Sequence, residues 1–325
     1  MFVGSHNDNA YQLREHIRKL ALKAGFDLAG FAPATPTPYA DAFSEWLRHG
    51  FHADMRYMSR EPYVRHSITR WAPEARTVLM LAINYYVPAR FAPHALIIAR
   101  YALGEDYHLW MKKRLIALGR SIASSLSVPI RWRTFLDTAP VLERAYAMQA
   151  GLGWIGKNTM LINHRLGSYL FLGGIVMDLD LPPDAPVRDH CGTCSRCIEA
   201  CPTRAITTGR LVDARLCLAY HTIETRSPLP PEITQALGRR FFGCDVCQEV
   251  CPMNREPGAS PHPNLVPTTE PCCRLRPNLL ALTAQQIMTM PDRELLAICR
   301  RSALRRAGFQ GLRRTAAAIL TLQTS

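Results

Sequence analysis

Cys191-Gly-Thr-Cys194-Ser-Arg-Cys197-Ile-Glu-Ala-Cys201-Pro202 opens the stretch on which the rest of the chain turns. Cys244-Asp-Val-Cys247-Gln-Glu-Val-Cys251-Pro252 closes it, and a lone Cys217 lies between. The first run has the C-x₂-C-x₂-C-x₃-C-P spacing that wraps a 4Fe–4S cluster in bacterial ferredoxins. The second keeps the end of that spacing and lacks its first cysteine. A 4Fe–4S cluster takes four thiolates, and in two-cluster ferredoxins the last cysteine of each run crosses to the other cluster. Cys191, Cys194 and Cys197 therefore take Cys251. Cys244 and Cys247 take Cys201, which leaves one iron short of a ligand. Cys217 is the remaining cysteine of the segment and completes the second set. Zinc also binds paired C-x₂-C, but the third cysteine and the x₃-C-P ending suit a cubane. A disulfide framework is disfavoured, because Met1 to Ala10 does not read as a secretory signal. Cys272, Cys273 and Cys299 fall outside the pattern and read as ordinary thiols.

Working outward, 325 residues suit about two domains, and 48% apolar content is ordinary for a globular chain. The longest apolar run, Tyr169 to Met177, is too short to span a bilayer. A cytoplasmic protein of a reducing compartment, with no membrane partner, is expected. The formal charge of +13 favours a polyanion, since phosphates bound by Lys and Arg release counterions. The densest positive cluster runs from Arg300 to Arg314. It reads either as a solvated helical face or as phosphate contacts, with Arg305, Arg306, Arg313 and Arg314 as the candidates for RNA.

Periodicity divides the chain at 1–182, 183–264 and 265–325, with an α+β or α/β front domain. Asp8 or Asn9 can cap a first helix through Leu13, Ile17 and Leu20 that ends at Gly25. Phe26 to Phe31, Thr77 to Tyr85, His94 to Tyr101 and Pro129 to Leu136 read as strands. Thr159 to Ile162 and Ser168 to Met177 read as two strands joined by a turn. Asp106 starts a helix through Trp110 and Ile122, and Pro140 suits the first turn of another that ends at Gly151. Leu181 to Asp184 reads as a linker, as do the prolines from Pro257 to Pro267. Leu279 to Met290, Asp292 to Arg301 and Ser302 to Leu322 are helical in pattern.

A ferredoxin segment passes electrons onward, so the front domain must receive them. No G-x-G-x-x-G follows a strand; Gly151-Leu-Gly-Trp-Ile-Gly156 follows a helix, and no P-loop is present. The domain therefore holds a cofactor without a local motif, such as a flavin or a corrinoid, or docks a partner directly. Asp137 stands just past the carboxyl end of a strand and before a helix, where open α/β sheets place their sites. Helix capping or an ion pair with Arg144 is the structural alternative. Asp106-Tyr107-His108 occupies a similar junction. Lys157-Asn158 either touches a polar cofactor group or shapes a turn.

Several blocks resemble one family, the epoxyqueuosine reductases, cobalamin-dependent iron–sulfur enzymes that complete queuosine in transfer RNA. The blocks are Ala82-Ile-Asn-Tyr-Tyr86, Arg100 to His108, Asp137-Thr-Ala-Pro140 with Glu143-Arg144, Gly151 to Asn158, Thr222-Ile-Glu224, Gly243-Cys-Asp-Val-Cys247 and Ser302 to Arg306. The resemblance implies a nitroreductase-like front domain that holds cobalamin, followed by a two-cluster ferredoxin-like domain and a short helical segment. It implies that Asp137 is the catalytic acid, which calls for a raised pKa, and that Tyr101, Asp137, Lys157, Asn158 and His221 border the cobalamin. It implies a monomer acting on tRNA that carries epoxyqueuosine, fed by a donor such as flavodoxin or ferredoxin. Ala139, His221, Met253 and Thr315 depart from the family pattern, and His221 alters the cofactor surroundings. A corrinoid reductive dehalogenase and a non-catalytic ferredoxin-type carrier are the alternative readings.

Overall fold

Thr77–Asn84 is apolar along nearly its whole length, and all of it is buried. A strand covered on both faces gives no alternation, and this one lies inside a sheet with helices on either side. The order is Leu28–Pro33, Thr77–Asn84, Leu170–Met177, Trp132–Phe135, and every pairing is antiparallel. The computed structural model describes residues 6–207, 210–254 and 265–324. Helices His6–Lys23 and Tyr107–Ser124 cover one face, with Ile17, Leu79, Leu81, Met111 and Leu115 in its core. Helix Glu143–Gln149 covers the other, where Val78, Met80, Tyr146 and Ala147 meet. Gly174 makes room for its neighbours within the sheet. A Cβ there would stand 2.4 Å from the Phe135 ring and 2.7 Å from the Leu79 carbonyl. The fold is α+β.

Several expected elements change partners. Leu161–Ile162 pairs with Trp154–Ile155, so it forms no hairpin with Leu170–Met177, which is wedged between two other strands. The His94–Tyr101 run contracts to Ile97–Ile98, which pairs in parallel with Arg240–Phe242 of the cysteine-rich segment. The first helix already begins at His6, so Asp8 and Asn9 lie inside it. Pro140 stands before helix Glu143–Gln149, which begins three residues later. The Leu279–Met290 run splits into Pro277–Leu280 and Ala284–Thr289, the second started by a Thr283–Gln286 capping box. The last run breaks at Gly308, whose φ of +68° ends a 3₁₀ turn before helix Gly308–Thr324.

The C-terminal helices are not a separate body. Leu279, Ile287, Leu304, Leu312 and Ile319 share a core with Ile98 of the front domain and with Phe241 and Phe242. The expected linker at Leu181–Asp184 is pinned down: Asp184 pairs with Arg18 at 2.8 Å and accepts from the Phe31 amide. Of the proline-rich boundary, Pro257, Pro261 and Pro263 lie outside the described residues. Among the described residues, no helix is long and apolar enough to cross a membrane.

Candidate active site and cysteine clusters

Asp137 leaves the edge strand Trp132–Phe135 through a left-handed residue, its own φ being +45°. Aspartate tolerates that region better than bulkier residues, but the conformation still stores strain. The turn is held from inside: the Asp137 amide donates to the Glu143 carboxylate. Because the sheet is antiparallel, the strand-end rule for open parallel sheets does not explain this position. An edge strand ending in a strained turn does.

The Asp137 side chain meets His108, whose Nε2 lies 3.0 Å from Oδ2. His108 Nδ1 lies 2.7 Å from Asp106 Oδ1, and Asp106 also caps helix Tyr107–Ser124 by accepting from the His108 amide. A carboxylate accepts, so an imidazole between two of them donates from both nitrogens and is cationic. Burial alone would depress His108; its hydrogen bonds to Asp106 and Asp137, with their charges, override this and raise it to about 9. Burial alone would likewise raise Asp137, but the His108 hydrogen bond and charge, the Tyr107 hydroxyl and Arg306 hold it below the ordinary range. Glu143 goes the other way: burial and the nearby Asp137 charge push it up to about 8. The raised carboxyl expected at Asp137 is therefore found at Glu143, and the proton beside Asp137 rests on His108. The Asp137 side chain remains 54% exposed. The expected Arg144 pair is absent from this group, since Arg144 donates to the Thr159 carbonyl at 2.5 Å.

The cysteines gather in two sets. Burial, with the Cys191, Cys197 and Cys194 thiols behind it, pushes the Cys251 thiol up to about 11. Burial raises Cys217, with Cys201 as its thiol neighbour, and Cys244 likewise to about 11, with Cys217 beside it. Cys247 is raised by burial, then by Cys244 and Cys217, and senses Cys197 of the other set. Among the described residues, no three His, Cys, Asp or Glu side chains close around a single metal ion. Cys273 and Cys299 are buried and Cys272 is half-buried.

Lys157 and Asn158 do something the sequence reading missed. Lys157 Nζ donates to the carbonyls of Gly192 and Cys194 at 2.8 and 2.9 Å. Asn158, only 3% exposed, donates to the Cys247 carbonyl at 3.3 Å. They clasp the backbone of both cysteine runs. His221 is also buried, its Nε2 held 2.7 Å from the Arg215 carbonyl, four residues after Cys217. Tyr101 is half-buried and packs against both the front-domain core and the core shared with the C-terminal helices, where its hydroxyl feels the charges of Asp245 and Asp137.

Arg313 and Arg314 turn toward the body of the protein, whereas Arg305 and Arg306 stay exposed. Arg314 donates to the carbonyls of His221, Thr225 and Ser227, and Arg313 to that of Met290 and to Asp292. Arg306 pairs with Glu224 at 2.8 Å; Arg305 is exposed. Arg313 and Arg314 thus fasten the last helix.

Residues 190–254 match the family model of a 4Fe-4S double cluster binding domain. Residues 65–138 match the model described as Epoxyqueuosine reductase QueG, DUF1730. The epoxyqueuosine reductase of Synechococcus sp. (strain CC9605) is 40% identical over 324 residues, 97% of each chain. A crystal structure of epoxyqueuosine reductase with a tRNA-Tyr epoxyqueuosine-modified stem loop superposes with a TM-score of 0.86 at 27% identity, covering 96% of this chain and 82% of that one. The Bacillus subtilis enzyme, solved with its catalytic aspartate loop swung out of the active site, superposes at 0.83 and 26% identity over the same shares.

Proposed function

The chain belongs to the epoxyqueuosine reductase family, and from that premise we propose that it reduces epoxyqueuosine to queuosine at the wobble position of tRNA, with Asp137 delivering the proton. The observation that carries the role of Asp137 is the imidazolium of His108, pinned between Asp106 and an open Asp137.

The reaction converts an epoxide to an alkene and water and takes up two electrons and two protons. Cys191, Cys194, Cys197 and Cys251 hold one 4Fe–4S cluster; Cys201, Cys217, Cys244 and Cys247 hold the other. Cobalamin, when bound, supplies a two-electron reductant at the substrate, which clusters passing single electrons do not. Its fit rests on Tyr101 and Asp137, the one packed against both cores, the other open at the rim. Lys157, Asn158 and His221 also brace the cluster loops.

The proton starts on His108 Nε2. Excluding water from this rim penalises an ion pair, so the neutral pair becomes favoured. The proton then crosses the 3.0 Å hydrogen bond to Asp137 Oδ2 and passes to the departing oxygen. Neutral His108 keeps its Nδ1–H bond to Asp106. Glu143, protonated at neutral pH, is the second proton carrier at the same turn. An external donor such as flavodoxin or ferredoxin and a cytoplasmic monomer complete the reading.

The test is anaerobic turnover of an epoxyqueuosine stem-loop RNA by protein loaded with cobalamin and clusters, followed by mass spectrometry of the base. Asp137→Asn abolishes turnover while cobalamin and iron content stay at wild-type levels. Near-normal turnover by that variant would sink the role of Asp137.

A further inference from the structure

Residues 56–71 carry two exposed tyrosines in adjoining turns, and neither has a part in the chemistry above. Tyr57 lies in the short helix Arg56–Ser59 and is 46% exposed; Tyr63 lies in the 3₁₀ turn Pro62–His66 and is 49% exposed. Each is backed by an arginine. The Arg306 guanidinium stands 5.5 Å from the Tyr57 ring centre, and that of Arg70 stands 5.7 Å from Tyr63. Arg133 repeats the pattern over Trp71 at 4.0 Å. Arg56 and Arg60 are exposed beside the tyrosines. Of the acids nearby, Asp54 is tied to the Tyr220 hydroxyl and Glu224 to Arg306, while Glu61 is exposed at the start of the Pro62–His66 turn among the arginines.

This strip borders the acid. The Tyr57 hydroxyl senses Asp137, and Arg65, buried beneath the strip, senses both Tyr57 and Glu143. A ring with a cation on one side and about half its surface open offers a face to a flat apolar partner. Rings alternating with cations are what unpaired nucleotides require: bases stack on the rings while guanidinium groups meet the phosphates. A helical arginine face lacks the rings, and a core cluster would bury them.

We propose that Tyr57 and Tyr63 are the stacking platform for unpaired anticodon-loop bases flanking the base that is reduced, with Arg56, Arg60 and Arg70 on the phosphates. This rests on the tRNA reading above. It centres the RNA surface on the rim beside Asp137, with Arg306 of the C-terminal cluster at its edge.

The experiment measures the affinity of the loaded protein for the epoxyqueuosine stem-loop RNA by fluorescence anisotropy across a salt series, with single-turnover conversion of the same RNA. Tyr57→Ala and Tyr63→Ala each weaken binding roughly 5- to 150-fold and leave the salt slope unchanged. Tyr57→Phe and Tyr63→Phe keep the ring and bind like wild type. Arg60→Ala instead lowers the salt slope by about 1. Far-UV circular dichroism and iron content identify any variant that has merely unfolded, and the phenylalanine pair keeps the test decisive there. Alanine variants that bind like wild type overturn the platform, as do phenylalanine variants that lose as much as alanine. In both cases conversion by wild type leaves the functional reading standing. Wild-type protein that neither binds nor converts the RNA overturns that reading and the platform with it.

Discussion

Replacing His108 with glutamine separates the reservoir of the proton from its final donor. In the folded protein His108 titrates at about 9, so at pH 7 the pair it forms with Asp137 holds a proton nearly all the time. Glutamine still reaches Asp137 with a hydrogen bond but carries no proton to give. The acid must then be Asp137 itself, drawing from solvent. An ordinary carboxyl titrates near ~4 and is protonated about 0.1% of the time at pH 7. The expected loss is therefore on the order of 10²- to 10³-fold.

The pH dependence carries more weight than the size of the loss. Wild type holds its single-turnover rate through neutrality and loses it as pH rises through about 8 and about 9, where Glu143 and His108 give up their protons. His108→Gln should show no such plateau, and its rate should climb steadily as pH falls. Asp137→Asn should be inactive at every pH, because acid cannot restore a carboxyl that has been removed. The assay is rapid quench of pre-reduced enzyme with the epoxy stem loop between about pH 5.5 and 9.5, with cobalamin absorbance and iron content as controls. A His108→Gln rate within about 3-fold of wild type at pH 7, or an alkaline limb still near that of wild type, refutes the reservoir.

The same pair makes a stability prediction. Its folded pKa is raised from 6.5 to about 9, so its contribution is fully present below pH 6.5 and fades as pH rises through about 9. With side chains 35% and 54% exposed, screening reduces it to about 1 kcal/mol. Melting curves of wild type and His108→Gln should therefore differ at pH 6 and converge near pH 10; a gap that widens with pH counts against the pairing. Cys217→Ala should lower iron toward one cluster per chain, whereas Cys272→Ala and Cys273→Ala should leave it unchanged in a ferrozine assay. Lys157→Met removes a charged donor from two carbonyls of the first cysteine run, a loss of about 1.5–3 kcal/mol per bond. Its clusters should bleach faster under oxygen than those of wild type, while Lys157→Arg retains part of the protection.

The two-cluster segment was legible because the spacing of thiols along a few residues fixes what they can wrap. Thr77–Asn84 was legible for a related reason, since a strand-length apolar run needs burial on both sides wherever it sits. What escaped depends on contacts far apart in sequence. His108 and Asp137 are 29 residues apart, and neither position alone says that the imidazole is charged. Lys157 finds its carbonyls 35 and 37 residues on, and Asn158 finds Cys247 89 residues on. The glycine-rich block was conspicuous, and a cofactor was the natural local explanation; the carbonyls it holds lie in another domain. The arginines near the C-terminus escaped in the opposite sense. Charge density reads as a surface, but Arg313 and Arg314 also cap carbonyls that the broken helices leave open.

Those long-range contacts bear on how electrons reach the substrate. The cysteine domain meets the front domain at several independent points. Lys157 and Asn158 grip both runs, Ile97–Ile98 pairs with Arg240–Phe242, and the Arg100 amide donates to Asp245 at 2.7 Å. Ser168, Gln248 and Asn254 add a buried network at 2.7–2.9 Å. A buried network with its partners satisfied is rigid, and losing one member strands the others. Rigidity matters more here than stability, because the two cysteine sets must stay a fixed distance from the acid while RNA comes and goes. The acid is free of that clamp: Asp137 sits on a strained turn at the edge of the sheet, half open, held by His108 and Glu143. On the proposed reading, the architecture separates a fixed electron path from an adjustable proton donor. Mutations in the clamp should therefore change cluster retention before they change the pH profile, and mutations at His108 should do the reverse.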